Sequence, residues 1–406
     1  MAEGSSAAHV DYGAPPHQDA AREWPTADLA RRLDRALDVA EATIVRLTTD
    51  AGGADTPEPP LPDRVLVDTA ILLREAVSVR KFLAPDIPAR ARELARLLAS
   101  RARHARVAMA LVARPALAHE YAAAHVILSA FGLTDDDFDR VLSVALEQPM
   151  GATRERLPHH DLEQAWIASL SGIPTISGDA VQRTALHTGV DLVFGDRDEL
   201  RALARGVMYA TDFGRRAPRT IRCEYVAAMV ESALAGAVDD SDFVLACDLL
   251  LSWPLLHVAW TPAATVAFML LSRMAPDGDL SYGMGTLCAG ILRAKRYPFT
   301  LPPVTGGSAE RADALLDLAQ REEHRPRWVE CVASLTTDRR ASCESFMRDA
   351  LLRRAARRLD FETVKLVLRD TPETGSAATP LAAQVAGVLR RMGSTTASGG
   401  GQGVAR

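Results

Sequence analysis

The chain has few aromatic residues, few cysteines and no long uninterrupted apolar run. Phe, Trp and Tyr make up 5% of its 406 residues. The five cysteines contain no C-x-x-C pair and leave one over, which argues against a disulfide framework or a structural zinc site. No apolar run reaches the roughly 18 residues of a membrane span, and no charged leader followed by an apolar stretch opens the chain. We therefore expect a cytoplasmic protein that does not enter the membrane.

The charge balance and the missing motifs argue against further functional classes of protein. A net charge of −5 and a pI near 6.1 argue against a general binder of nucleic acid or of anionic membranes. H-E-x-x-H, a Walker loop and G-x-S-x-G are all absent from the sequence. Gly283, Gly285 and Gly290 loosely echo a dinucleotide fingerprint, but no strand pattern precedes them and the third spacing does not fit. We expect no cofactor and no metal.

An acidic run opens one helical segment. Asp135, Asp136, Asp137 and Asp139 match the D-D-x-x-D spelling with which isoprenoid synthases chelate magnesium. Acidic residues are also expected at a helix start, where they face the positive end of the helix dipole, and no second magnesium motif follows along the chain. We interpret the run as helix capping rather than as a metal site.

Apolar residues recur at helical spacing along most of the chain. From Thr26 to Thr49, for example, Leu29, Leu33 and Leu37 follow one another at every fourth position. Ala, Leu and Arg are abundant and favour helix, while strand patterns are nearly absent. We predict an all-α fold, either an α/α toroid whose inner helices line a cavity or an irregular superhelix of stacked helical hairpins.

Composition divides the chain into four parts. Residues 1–25 are rich in Gly, Ala, Pro and Ser, which predicts a disordered N-terminal tail. Residues 26–150 form an N-terminal helical part, and residues 151–370 form the main helical domain packed on it. Residues 371–406 hold one short helix and a disordered Gly/Ser tail.

Polar side chains stand among strongly apolar helical segments between residues 198 and 296. One segment is expected to begin at Asp239 and Asp240 and to continue through FVLACDLLLSW until Pro254 ends it. Asp248 lies inside this segment, where an unpaired buried carboxylate would cost several kcal/mol or have a raised pKa. Asp248 therefore needs a partner or a cavity. Tyr209 and Asp212 are three residues apart, so we expect them on one side of a helix that Asp198 caps.

Two sets of candidate site residues follow. The candidate catalytic residues are Asp248, Asp212, Tyr209 and Tyr282. The candidate substrate-binding residues are Arg205, Gly283 and Thr286, of which the last two lie on a helix line that a ligand or a neighbouring backbone can approach closely. A structural role is the alternative for each, since ion-pair networks also place charges in helical cores. His159 and His160 open another helix and are expected to be exposed.

Part of the sequence resembles an uncharacterised family of helical proteins, a domain of unknown function found in actinobacteria. The likeness covers about residues 150–300 and is carried by DRDELRALARGVMYATDFGRR, with ERLPHHDLEQAW before it and YGMGTLCAGIL after it. Its most specific part is the Tyr-x-Thr-Asp-Phe-Gly stretch from Tyr209 to Gly214. The resemblance implies a bacterial origin and a helical fold.

This chain departs from the family pattern at several polar positions. The resemblance implies Thr-His where this sequence has Ala204 and Arg205, Glu in place of Asp248, and Tyr-His in place of Tyr282 and Gly283. A mechanism that rests on those histidines is therefore not expected here.

Our first hypothesis is an enzyme of bacterial specialised metabolism. It would catalyse a non-redox cyclisation or elimination on a largely apolar small-molecule or peptide-like substrate in a helical cavity. Asp248 or Asp212 would act as acid or base, and Tyr209 and Tyr282 would place or stabilise charge. The alternatives are a helical-hairpin scaffold that binds another protein and a degenerate enzyme that binds a ligand without converting it. A homodimer stays open in each case.

Overall fold

The structure, a computed structural model, describes residues 26–49, 62–147, 157–172, 176–274, 278–297, 308–322, 325–369 and 379–398. Within these ranges the chain forms α-helices and short 3-10 turns and no strand, which confirms the all-α prediction. The predicted N-terminal tail, residues 1–25, lies outside the described residues. The C-terminal tail was predicted to begin at Ser394, but the last helix continues to Ser398, and only the chain beyond residue 398 lies outside the described residues. The toroid and the superhelix both stay predictions.

Helices follow one another along the whole described chain. The first ten are α1 (Thr26–Thr49), α2 (Arg64–Ser78), α3 (Ile87–Ala102), α4 (Ala105–Ala113), α5 (Ala118–Ser129), α6 (Asp136–Glu147), α7 (Pro158–Leu170), α8 (Gly178–Gln182), α9 (Ala185–Thr188) and α10 (Arg197–Ala210). Then come α11 (Cys223–Asp239), α12 (Phe243–Leu250), α13 (Ser252–Leu256), α14 (Pro262–Met274), α15 (Gly278–Ala294), α16 (Ala309–Gln320), α17 (Arg327–Ala333), α18 (Thr337–Ala341), α19 (Glu344–Arg357), α20 (Phe361–Leu368) and α21 (Pro380–Ser398).

Side-chain caps set the starts of the helices near the centre of the chain. The Thr261 hydroxyl accepts the N–H of Ala264 at 3.2 Å, as expected for a helix that restarts before a proline. The cap of α10 was predicted at Asp198, and this was wrong by two residues. Asp196 accepts the N–H of Glu199 at 2.8 Å, and Asp198 lies in the first turn, where its charge still suits the helix dipole.

The segment that contains Asp248 starts and ends differently from the prediction. It was expected to begin at Asp239 and Asp240, but those residues finish α11 and its C-cap, and α12 begins after Asp242, which caps it. Pro254 was expected to end the segment. It lies instead inside α13, and the chain reverses at His257, whose φ of 57° is left-handed.

The apolar segments pack together in the middle of the molecule and position the polar ones. Helix α15 packs against α1, α2 and α12, while α10 packs against α7 and α12. The side chains of α12 and α14 are mostly buried, as expected for helices that are apolar on every side. Among the described residues, no helix combines the length and the apolar character that a membrane span requires.

Candidate functional site

The Tyr209–Gly214 stretch ends α10 in a tight left-handed turn. Asp212, Phe213 and Gly214 have φ values of 47°, 52° and 82°, a region that costs energy for residues other than glycine. Backbone hydrogen bonds offset part of that cost, including one of 2.8 Å from the N–H of Phe213 to the carbonyl of Met208. Phe213 is buried, so packing fixes the turn as well.

This turn holds the Asp212 carboxylate against two hydrogen-bond donors and one further ion-pair contact. Trp166 Nε1 donates to Oδ1 at 2.7 Å, Arg74 Nη1 lies 2.8 Å from Oδ1, and Arg74 Nη2 donates to Oδ2 at 3.0 Å. The Trp166 ring stacks on Tyr209 with 5.2 Å between the centroids. Both oxygens of Asp212 are thus engaged and the ion pair is nine-tenths buried. These contacts favour Asp212 as a structural anchor of α2, α7 and α10 over the catalytic role predicted for it.

Tyr209 faces a carboxylate that the sequence analysis missed. Its hydroxyl donates to Glu163 Oε1 at 2.5 Å, and Arg64 Nη1 donates to the same oxygen at 2.6 Å. Burial alone would raise the pKa of Glu163, but the charge of Arg64 and hydrogen bonds from His160 and Tyr209 outweigh it and hold that pKa well below its usual range. Burial and the Glu163 charge raise the pKa of Tyr209, so the phenol stays protonated as a donor.

Asp248 has a partner, but a loose one. Arg201 Nε lies 3.8 Å from Oδ2, beyond hydrogen-bond distance, and about a fifth of the Asp248 side chain is exposed (21%). Burial raises the pKa of Asp248; Arg205 opposes that rise, while the carboxylate of Asp68 adds to it. The side chain is therefore partly exposed, and burial of its carboxyl group biases it toward protonation.

Arg205 has the features expected of a cation that binds a ligand. It is half-buried on α10, one turn from Arg201 and one turn from Tyr209. Its charge acts on Asp248 and on Glu163. No hydrogen bond or ion pair joins it to any part of the chain that the structure describes, so its donors are available to a solute.

The first turn of α7 brings two histidines to the same place. His159 was expected to be exposed, and this was wrong: it is buried, and its ring packs 4.1 Å from that of His160. Burial, followed by the charges of His160 and Arg205, lowers the pKa of His159 to about 4, so its imidazole is neutral at pH 7. His160 is exposed, with Nδ1 at 3.5 Å from Glu163 Oε2.

Helix α15 flanks this group of residues. The Tyr282 hydroxyl lies 3.3 Å from the Thr69 hydroxyl on α2. A Cβ on Gly283 would lie 2.9 Å from Cβ of Cys247, the neighbour of Asp248, so α12 occupies the close approach that the glycine allows. Thr286 is partly buried one turn along α15. Gly283 therefore borders Asp248 through its neighbour Cys247, and Tyr282 borders Asp68 through its neighbour Thr69.

Together these residues form what we term the charged cluster. It consists of Arg64 and Asp68 on α2, His159, His160 and Glu163 on α7, Arg201, Arg205 and Tyr209 on α10, and Asp248 on α12. Four of the nine side chains carry charges that act on Asp248 or Glu163, and the cluster reaches solvent at Arg64, Asp68 and His160. It can bind an anion and exchange protons.

The acidic run at the start of α6 lies elsewhere. The Asp135 side chain accepts the N–H of Phe138 at 3.0 Å, as a capping residue does. Asp139 Oδ1 lies 2.8 Å from Nε2 of the buried His125. Within the described ranges, no group of three or more His, Cys, Asp or Glu side chains is arranged to hold a metal ion.

Comparison with known proteins places the charged cluster inside a family. A family model described as a domain of unknown function, DUF6895, matches residues 33–288. No curated protein and no solved structure matches the chain. The matched span holds the whole charged cluster and the Asp212 anchor, and helices α16–α21 follow after it.

Proposed function

We propose that this chain, which belongs to the DUF6895 family of unknown function, is an enzyme that performs non-redox acid–base chemistry on a small organic anion. The reaction is a cyclisation or an elimination, as expected from the sequence. The sequence predicted a largely apolar substrate, and we now propose that this substrate also carries an anionic group. One observation supports this most: Asp248, a partly exposed side chain whose carboxyl group is biased toward protonation, is subject to the charge of Arg205, a cation without a hydrogen-bond or ion-pair partner in the described chain.

Arg205 binds the anionic group of the substrate. A guanidinium presents paired N–H donors that match the two oxygens of a carboxylate or of a phosphate. The three arginines of the charged cluster are balanced by the carboxylates of Asp68, Glu163 and Asp248. What favours an anion is therefore the set of unpaired N–H donors on Arg205 and not an excess of positive charge.

Asp248 moves the proton. In its ionised form it accepts a proton from the substrate carbon beside the anionic group, and the negative charge that develops is stabilised by Arg205. The protonated Asp248 then returns the proton to the leaving group or to the new ring, which regenerates the carboxylate. A raised pKa suits both steps, since the group must hold and release a proton near neutral pH.

The wall of the charged cluster keeps these two groups in place. Tyr209, Glu163 and Arg64 form a hydrogen-bonded chain between α10, α7 and α2. The neutral imidazole of His159 is a second proton acceptor on the same wall. Tyr209 thus acts as a positioning residue. The sequence predicted that it would place charge, and we propose that it does so through its hydrogen bond to Glu163.

The test follows protons. Wild-type protein is incubated in D2O with a panel of hydroxy, keto and unsaturated carboxylic acids. Proton NMR and mass spectrometry then record C–H exchange, loss of water and ring formation. We expect Asp248→Asn to abolish exchange and turnover without changing the melting temperature, and Arg205→Gln to raise KM about tenfold or more.

Exposed residues serve as matched controls. Asp137→Asn and Arg96→Gln change the same residue types at side chains that are 90% and 63% exposed, and both should behave as wild type. The proposal fails if Asp248→Asn retains turnover, if it melts far below wild type, or if no acid in the panel is bound or exchanged.

The rival hypotheses have distinct outcomes in the same experiment. Binding that depends on Arg205 without exchange or turnover would mark a degenerate enzyme. The scaffold alternative is supported by α4, where Met109 is 63% and Val112 48% exposed. Under that alternative, polar substitution of those two residues would abolish partner binding, and Asp248→Asn would leave it unchanged.

A further inference from the structure

Helices α16, α19 and α20 line a cavity of about 330 Å³, which we term the C-terminal cavity. It shares no residue with the charged cluster and lies beyond the span that the family model matches. Its apolar lining residues are Ala314, Leu315, Leu318, Leu366 and Val367. Its charged lining residues are Arg311, Arg321, Arg348, Asp317 and Glu344. The volume lies in the range of about 300–1,000 Å³ that small-molecule sites occupy.

Arg348 is the charged residue of this cavity whose donors are not satisfied. Only 6% of the residue is exposed, and its Nε has no hydrogen-bond partner among the described residues. Its Nη1 lies 3.8 Å from Oε1 of Glu344, beyond hydrogen-bond distance. A buried donor without an acceptor costs free energy, so the structure carries a cost that an acceptor inside the cavity would remove.

Glu344 does not fill that role, because its Oε2 already accepts a backbone N–H and its Oε1 is beyond hydrogen-bond distance of Arg348. Its Oε2 accepts the N–H of Ser308 at 3.0 Å, and its Oε1 lies 3.8 Å from Arg311 Nη1. A guanidinium has five N–H donors in a planar fork, and the Glu344 carboxylate, 3.8 Å away, accepts a hydrogen bond from none of them.

We infer that the C-terminal cavity binds a small amphipathic carboxylate, with its carboxylate on Arg348 and its alkyl or aryl body against Leu315, Leu318 and Leu366. Three arginines and two carboxylates line the cavity, which leaves one net positive charge and favours an anion. The two oxygens of a carboxylate match two parallel N–H donors. The apolar wall disfavours a fully polar anion such as inorganic phosphate, which would leave its own oxygens unsolvated.

Three probes of equal length separate the head group from the body. Isothermal titration of the full chain with octanoate, octanamide and octylammonium should show binding of octanoate, binding of octanamide at least about tenfold weaker, and no binding of octylammonium. Inorganic phosphate should not compete with octanoate for the cavity. Equal affinity for octanoate and octanamide, or binding of neither, would overturn the inference.

Variants then locate the binding. Arg348→Gln should weaken octanoate about ten- to a hundredfold and leave octanamide unchanged, since it removes only the charge-assisted hydrogen bonds. Ala314→Trp fills the cavity from an exposed position and should abolish binding of both probes.

Leu366→Ser tests the apolar wall at a residue that is 50% exposed, so the fold should tolerate it. Its matched control is Leu359→Ser, at a residue that is 64% exposed and does not line the cavity. Of these two variants, only Leu366→Ser should weaken octanoate binding. Should Arg348→Gln fail to fold, Ala314→Trp and Leu366→Ser decide, and octanoate binding that survives both refutes the site.

Discussion

Among the described residues, Glu75 on α2 is the most completely buried carboxylate in an ion pair, and its removal should be costly. Arg215 Nη1 donates to its Oε1 at 2.6 Å, and Arg293 donates to its Oε2. The Glu75 side chain is 1% exposed, while those of Arg215 and Arg293 are 26% and 18% exposed. The carboxylate thus joins α2 to the turn after α10 and to the end of α15.

Glu75→Gln keeps the size of the side chain and removes its charge. Removal of one partner from a buried ion pair typically costs about 3–5 kcal/mol, because the other charge is left uncompensated. Both arginines here keep partial contact with water, and the Gln oxygen still accepts one hydrogen bond. We therefore expect a loss of about 2–3 kcal/mol in the free energy of unfolding.

Urea denaturation at pH 7, followed by circular dichroism, measures that loss. The control is Glu93→Gln on α3, which breaks a 2.6 Å ion pair with Arg96 whose two side chains are both 63% exposed. It should cost no more than about 0.5 kcal/mol. The double variant Glu75→Gln/Arg293→Gln should lose less than the sum of the single losses. A Glu75→Gln loss no larger than that of Glu93→Gln would refute the reasoning.

Two further predictions concern pH and helix packing. Burial raises the pKa of Glu231 to about 7 and that of Asp349 to about 6, so the folded state binds these protons more tightly than the unfolded state. The stability of wild type relative to Glu231→Gln should therefore be greatest below about pH 4.5 and should fall as pH rises through 7. The measurement is the difference between their urea midpoints at a series of pH values. A difference that does not change with pH would contradict the prediction. A Cβ at Gly285 would lie 2.5 Å from Cβ of Ala36, so Gly285→Ala should lower the free energy of unfolding by about 1–3 kcal/mol. The control is Gly387→Ala, where the nearest neighbour of the added Cβ lies at 3.8 Å; it should be neutral or stabilising by up to about 1 kcal/mol. Urea denaturation measures both.

Local patterns in the sequence determined the elements. The repeat of leucines between Thr26 and Thr49 predicts α1 with the bounds that the structure shows, because amphipathic spacing depends only on residues one turn apart. The Thr261 cap follows from the same short-range chemistry. Asp248 stood out because its neighbours in the helix are apolar, and that too is visible within a few residues.

Only the tertiary structure decided which charges meet. Asp212 and Asp248 look alike in sequence, yet Asp212 is clamped by Arg74 and Trp166 while Asp248 has one loose partner. Glu163 lies 46 residues before Tyr209, and no periodicity predicts their contact. Such pairs depend on where helices cross, and the crossings result from the packing of many side chains at once. Helix formation depends on residues close together in the chain, so the sequence alone determined it. A site built from four helices depends on residues far apart in the chain, so only the tertiary structure decided it.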